Sequence, residues 1–115
     1  MDVLRTRDFD GQRLKRPGTW VVGFVADWCP WSAAFRPEFE ALARPGPASY
    51  AYGDVTDTDD PLWDAFEIEV VPTIVVFRDG EPTFRRDGRP SEGLSEAELR
   101  EVREAAESGE PGRAH

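Results

Sequence analysis

The chain has 115 residues, one domain's worth, and at that size folding buries roughly two-thirds of the surface of the unfolded chain. With 39% hydrophobic and 11% aromatic residues the composition is globular, and no apolar run nears the roughly 20 residues that cross a bilayer, so a soluble protein is expected. Asp and Glu number 23 against 14 Lys and Arg, and the charge of -9 argues against nucleic acid and membranes as partners.

The opening "MDVLRTRDFDGQ" mixes acids and bases without an apolar stretch and does not read as a secretory signal, which makes the cytoplasm the expected compartment. Lys15 is the only lysine, a bias that fits a salt-rich cytoplasm and coding composition equally well. "TWVVGFVA" (19–26), introduced by Pro17-Gly18, is a near-continuous apolar run and predicts a strand buried on both faces. Next comes "DWCPWSAA", which holds the only cysteine, Cys29, between Trp28 and Trp31. A single cysteine forms no internal disulfide, so redox chemistry there needs a second molecule.

From Pro30, the spacing of Ala34, Phe35, Phe39 and Leu42 predicts a helix kinked at Pro37. A Pro-Gly-Pro turn at 45–47 leads into "ASYAYGDV", a second inner strand. "DDPLWDAFEI" predicts a short helix with Asp60 as N-cap and Pro61 at the first helical position. "VVPTIVVF" is a further buried strand, Asp79-Gly80 the centre of a hairpin turn, and "PTFRR" the returning strand. Ser95 to Glu98 form a capping box that opens a last helix with Leu99, Val102 and Ala106 on one face, and the tail from Ser108 shows no packing signal. This order calls for a mixed sheet covered by helices.

Counting from Asp54, the acidic loop has Asp59 where an EF-hand needs Gly and Ala65 where it needs Glu, so it reads as a solvated loop and helix cap. The only histidine, His115, lies in the tail and provides neither a Cys–His pair nor a metal site. No metal or cofactor is expected.

These residues resemble the thioredoxin family over almost the whole chain. The match consists of "VVGFVA" running into Trp28-Cys29-Pro30-Trp31-Ser32, then Pro37, the "VVPT" run with Pro72, the "FRDGE" hairpin and Gly88 before the last helix. The resemblance implies a thioredoxin fold over 1–107, an α/β arrangement with a central mixed β-sheet flanked by helices on both faces, followed by a flexible tail at 108–115. It makes Cys29 the nucleophile at a helix N-terminus and Pro72 the counterpart of the family's cis-proline. Trp28, Pro30, Trp31, Val71 and Pro72 become the substrate-binding residues.

Two departures stand out. The second cysteine of dithiol members falls on Ser32, and the buried acid six residues before the nucleophile falls on Gly23. A free thiol with pKa about 8.5 is only about 3% ionised at pH 7, and a helix N-terminus raises that fraction. Ser32 is expected to donate its hydroxyl to the sulfur, while Asp27 and the overall charge oppose ionisation. A lone cysteine is ordinarily an inert core residue, but this motif argues for a reactive, accessible thiol. Gly23 also has a plain reading, close packing on a central strand.

The expected function is thiol–disulfide exchange through Cys29 without a resolving cysteine, on client proteins or small-molecule thiols and disulfides. The alternative is a redox-silent thioredoxin-fold binding module. A monomer is expected, with a Cys29-linked dimer as the other arrangement.

Overall fold

The computed structural model describes residues 1–43, 46–89 and 93–107. Pro45 of the expected turn and the tail from Ser108, with His115, lie outside them. In chain order the strands are β1 (Asp2–Leu4), β2 (Phe9–Asp10), β3 (Arg13–Leu14), β4 (Thr19–Val25), β5 (Ala48–Asp54), β6 (Thr73–Arg78) and β7 (Glu81–Asp87). The helices are α1 (Pro30–Leu42), α2 (Leu62–Ala65) and α3 (Glu96–Glu107).

Five strands form one sheet in the order β1-β5-β4-β6-β7, and β2 and β3 pair separately as a small hairpin. β4 lies parallel to β5 and antiparallel to β6, which gives the expected mixed sheet. Side chains alternate along each strand. On β4, Val22 and Phe24 enter one core and Val21 and Val25 the other; on β6, Val75 and Phe77 oppose Ile74 and Val76 in the same way. The second core is closed by Phe35, Phe39 and Leu42 of α1 and by Leu99, Val102 and Ala106 of α3. The first is closed by Leu62 and Phe66 around α2 and by Leu4, Phe9 and Leu14 of the N-terminal segment.

That segment lies within the expected 1–107 domain but adds elements the sequence reading did not assign, since its first strand was placed at residue 19. β1 adds a parallel edge strand beside β5, and Phe9 packs against Phe24, Phe66 and Phe77 at centroid distances of 6.0, 5.3 and 5.8 Å. The expected hairpin is present: Asp79 and Gly80 both take positive φ, 49° and 93°, as a two-residue turn of the primed type demands. The capping box at α3 also forms, with Glu98 N–H donating to Ser95 Oγ at 3.2 Å and Ser95 N–H to Glu98 Oε1 at 2.9 Å. At α2 the helix starts one residue later than expected, at Leu62, whose N–H donates to Asp60 Oδ1 at 2.9 Å. Within the acidic loop before it, which is exposed at 57–59, Asp57 Oδ1 accepts the N–H of Asp59 at 2.9 Å.

Asp54 closes β5 and its carboxyl is held below the usual carboxylate range. Burial alone pushes it up, but hydrogen bonds from Thr56 and the Arg5 guanidinium 3.0 Å away outweigh that. A depressed folded value adds stability above the unfolded carboxylate range of about 4, and this contribution disappears as pH falls through the folded value. Asp54→Asn should therefore destabilise the protein near neutrality and flatten the acid limb of a denaturant-midpoint-versus-pH curve. An acid limb parallel to that of the parent would contradict this assignment.

Candidate active site

β4 runs out at Val25, and the chain turns so that Cys29 N–H donates to Ala26 O at 3.2 Å. Cys29 is the N-cap of α1 in extended conformation, and its carbonyl accepts the first helical bond from Ala33 N–H at 3.1 Å. Pro30 follows at the first helical position, where a missing N–H costs nothing, and it is exposed. Helix α1 continues through Pro37.

Because β4 and β6 are antiparallel with Phe24 opposite Thr73, the turn after β4 lies beside the turn before β6. That second turn carries Val71 and Pro72, joined by a cis peptide bond. The Cys29 thiol donates to the Val71 carbonyl oxygen at 3.7 Å. The Val71 N–H has no hydrogen-bond partner among the described residues. Two further bonds fix the turn: Thr73 Oγ1 donates to Val70 O at 2.7 Å, and Gly88 N–H donates to Pro72 O at 2.9 Å. Cys29, Val71 and Pro72 thus come together as the sequence implied.

The structure corrects two expectations here. Cys29 is only 8% exposed, so it is not the open thiol foreseen; it shares a core with Ala26, Phe24 and Val71. Ser32 does not donate to the sulfur. It is wholly buried, and its Oγ accepts the Ala26 N–H at 3.2 Å, tying α1 back to the end of β4. The hydroxyl serves the backbone because the chain turns sharply there and leaves that N–H outside the sheet.

Trp28 and Trp31, the expected apolar rim, are 54% and 40% exposed. Trp31 lies about 3.8 Å from the point where a side chain on Gly93 would begin. Three partners of this rim escaped the sequence reading. Trp63 stacks under Trp28, Thr56 O accepts the Trp28 indole N–H at 2.8 Å, and Arg36 holds the Asp27 carboxylate at 3.1 Å. Trp63 was legible only as a residue of a short helix, and nothing in the spacing pointed to Thr56.

Gly23 has a clear physical role. A β-carbon there would lie 3.0 Å from the Phe35 ring and 3.3 Å from that of Phe39. The place of the family's buried acid is therefore closed by stacked aromatic rings, 4.9 Å between centroids, in agreement with the packing reading. The neighbouring Tyr52 hydroxyl donates to Glu40 Oε2 at 2.6 Å, and burial followed by this bond pushes its pKa well above the ordinary tyrosine value.

Gly88 sets the tolerance of the Pro72 turn. A β-carbon there would sit 2.5 Å from the Pro72 carbonyl oxygen, which is backbone and cannot swing aside. Gly88→Ala should cost about 1–3 kcal/mol in denaturant unfolding and slow any reaction of Cys29 with peptides. Unchanged stability would show that this contact is looser than described.

The thioredoxin family model matches residues 1–100. A protein disulfide-isomerase A6 homolog of Drosophila melanogaster is 33% identical over 103 residues, 87% of this chain but 24% of that protein. Protein disulfide-isomerase A3 of Gallus gallus is 32% identical over 94 residues, 79% of this chain and 18% of that protein. The chain thus spans a quarter or less of the length of these two relatives. A thioredoxin of Staphylococcus aureus is 31% identical over 99 residues, covering 84% of this chain and 94% of that one. Among solved structures, a mutant thioredoxin from Halobacterium salinarum superposes with a TM-score of 0.67 at 28% identity, over 92% of this chain and 91% of that one. With the sheet order, the cysteine at the head of α1 and the proline turn beside it all in agreement, the chain belongs to the thioredoxin family.

Proposed function

We propose that the protein carries out thiol–disulfide exchange as a monothiol. Cys29 takes one sulfur of a client protein or small-molecule disulfide into a mixed disulfide, and a thiol from outside the chain completes the reaction. Family membership supports a thiol–disulfide oxidoreductase type of function. The observation that carries the finer reading is the placement of the one cysteine at the N-terminus of α1, against the Val71–Pro72 turn, with Ser32 bound to Ala26 N–H where dithiol members have their second thiol.

The steps follow from that placement. The Cys29 thiol gives its proton to solvent, and the partial positive charge of the helix N-terminus stabilises the negative charge that the sulfurs share as exchange proceeds. The thiolate attacks one client sulfur, the client S–S bond breaks, a Cys29–client disulfide forms, and the departing thiolate takes up a proton. The free N–H and the released C=O of Val71 provide a donor and an acceptor for the client backbone on either side of the sulfur. Ser32 cannot attack the new disulfide. An outside thiolate attacking the client sulfur frees Cys29 and passes the disulfide to the client; one attacking Cys29 frees the client thiol, and a second outside thiol then restores Cys29. A reducing compartment such as the cytoplasm supplies these thiols.

The 8% exposure of Cys29 favours a second reading, a redox-silent binding module. Trapping separates the two. With a peptide disulfide and no added thiol, mass spectrometry should show a mixed disulfide at Cys29 that persists until a small thiol is added. Ser32→Cys should release the peptide without added thiol and raise protein-disulfide reduction, incompletely because Gly23 provides no buried acid. No adduct under conditions that modify the unfolded chain would leave the binding module as the better reading, and spontaneous release by the parent protein would contradict the monothiol step.

A further inference from the structure

The two exposed tryptophans beside Cys29 are built differently. Trp31 stacks on no aromatic ring among the described residues, whereas Trp28 lies parallel to Trp63, with centroids 6.3 Å apart and an interplanar angle of 11°. Both indole N–H groups of that stack are already engaged by one loop. Trp28 Nε1 donates to Thr56 O at 2.8 Å, and Trp63 Nε1 donates to Asp57 O at 3.1 Å and Val55 O at 3.2 Å. The stack therefore offers a partner no hydrogen-bond donor. It offers a fixed aromatic face, 54% exposed at Trp28, next to the reacting sulfur.

The segment that carries Trp63 is one-signed in sequence, while Arg36 beside Trp28 is paired with Asp27. Residues 54–67 contain six acids and no lysine or arginine. Asp54 is paired with Arg5, and Asp57 and Asp60 accept backbone N–H groups. The side chains of Asp59 and Asp64 are exposed and pair with no cation among the described residues. They flank Trp63 on the segment that carries it.

We infer that this surface selects clients whose reactive cysteine is flanked by arginine or lysine, the cation lying on the open face of Trp28 with Asp59 and Asp64 supplying the opposite charge. An aromatic face attracts a cation through its quadrupole, and acids at the rim of a site act chiefly by drawing the partner in, an effect that salt weakens. A neutral or acidic client gains from neither. The inference names the client class for the exchange proposed above and rests on that reading.

The test avoids covalent chemistry, so that its outcome is independent of whether exchange occurs. The full chain carrying Cys29→Ser is titrated, by calorimetry or tryptophan fluorescence, with three short peptides in which serine replaces the client cysteine and the flanking residues are arginine, glutamine or glutamate. The arginine peptide should bind at least about fivefold more tightly than the glutamate peptide at about 50 mM salt, and the gap should close at about 500 mM. Asp59→Asn combined with Asp64→Asn, both at exposed positions, should reduce the preference to less than about twofold. Trp28→Leu should weaken the arginine peptide more than the glutamine one. Equal binding of the three peptides, no binding by any, or a preference that survives the double Asp→Asn change would overturn the inference.

Discussion

The contact between the Cys29 thiol and the Val71 carbonyl joins the two turns on which the site is built. It exists because β4 is central: parallel to β5 on one side and antiparallel to β6 on the other, it delivers its C-terminal turn to the point where β6 begins. Burial of β4 and β6 on both faces fixes that register, since a slip of one residue would exchange their two sets of core side chains. The helix start at Cys29, the proline turn and the exposed tryptophans all depend on this junction. It also explains why the thiol is so little exposed: the carbonyl that holds it is part of the wall that covers it.

The two features that distinguish a dithiol site are absent here in a mutually consistent way. Ser32 has become part of the backbone scaffold, its oxygen satisfying an Ala26 N–H that the sheet does not reach. A buried unpaired N–H is costly, so the hydroxyl has a structural use independent of catalysis. Gly23 lets the Phe35 and Phe39 rings press against the strand, and an acid at that position would have to displace them. Each change suits a site with one thiol and no internal proton relay, and each would resist reversal by a single substitution.

Much of this was legible in the sequence because strong local signals coincide with tertiary ones. The runs around Val21–Val25 and Thr73–Arg78 are apolar on both faces, Asp79-Gly80 accepts the φ values of its turn, and Ser95 and Glu98 cap reciprocally. The N-terminal strands were not legible, because each is two or three residues long and contributes one inward side chain, Leu4, Phe9 or Leu14, with no period to detect. Their partners, among them Phe24, Phe66 and Phe77, meet them only in the folded chain. At the site, the family resemblance indicated Cys29, Pro72 and the two tryptophans. They did not show which atom the Ser32 oxygen would meet, or that Trp63 would lie beneath Trp28, since both follow from the turns and not from any repeat.

The proposed exchange requires that Cys29, though only 8% exposed, react readily from its position at the head of α1. The most direct measurement compares its rate of reaction with a small symmetrical disulfide reagent in the native protein and in the urea-unfolded chain at the same pH. The account predicts that the native thiol reacts faster, by about tenfold, because the helix terminus stabilises the negative charge that the sulfurs share in the exchange transition state. A native thiol that is protected, and reacts only as fast as the protein unfolds, would contradict it.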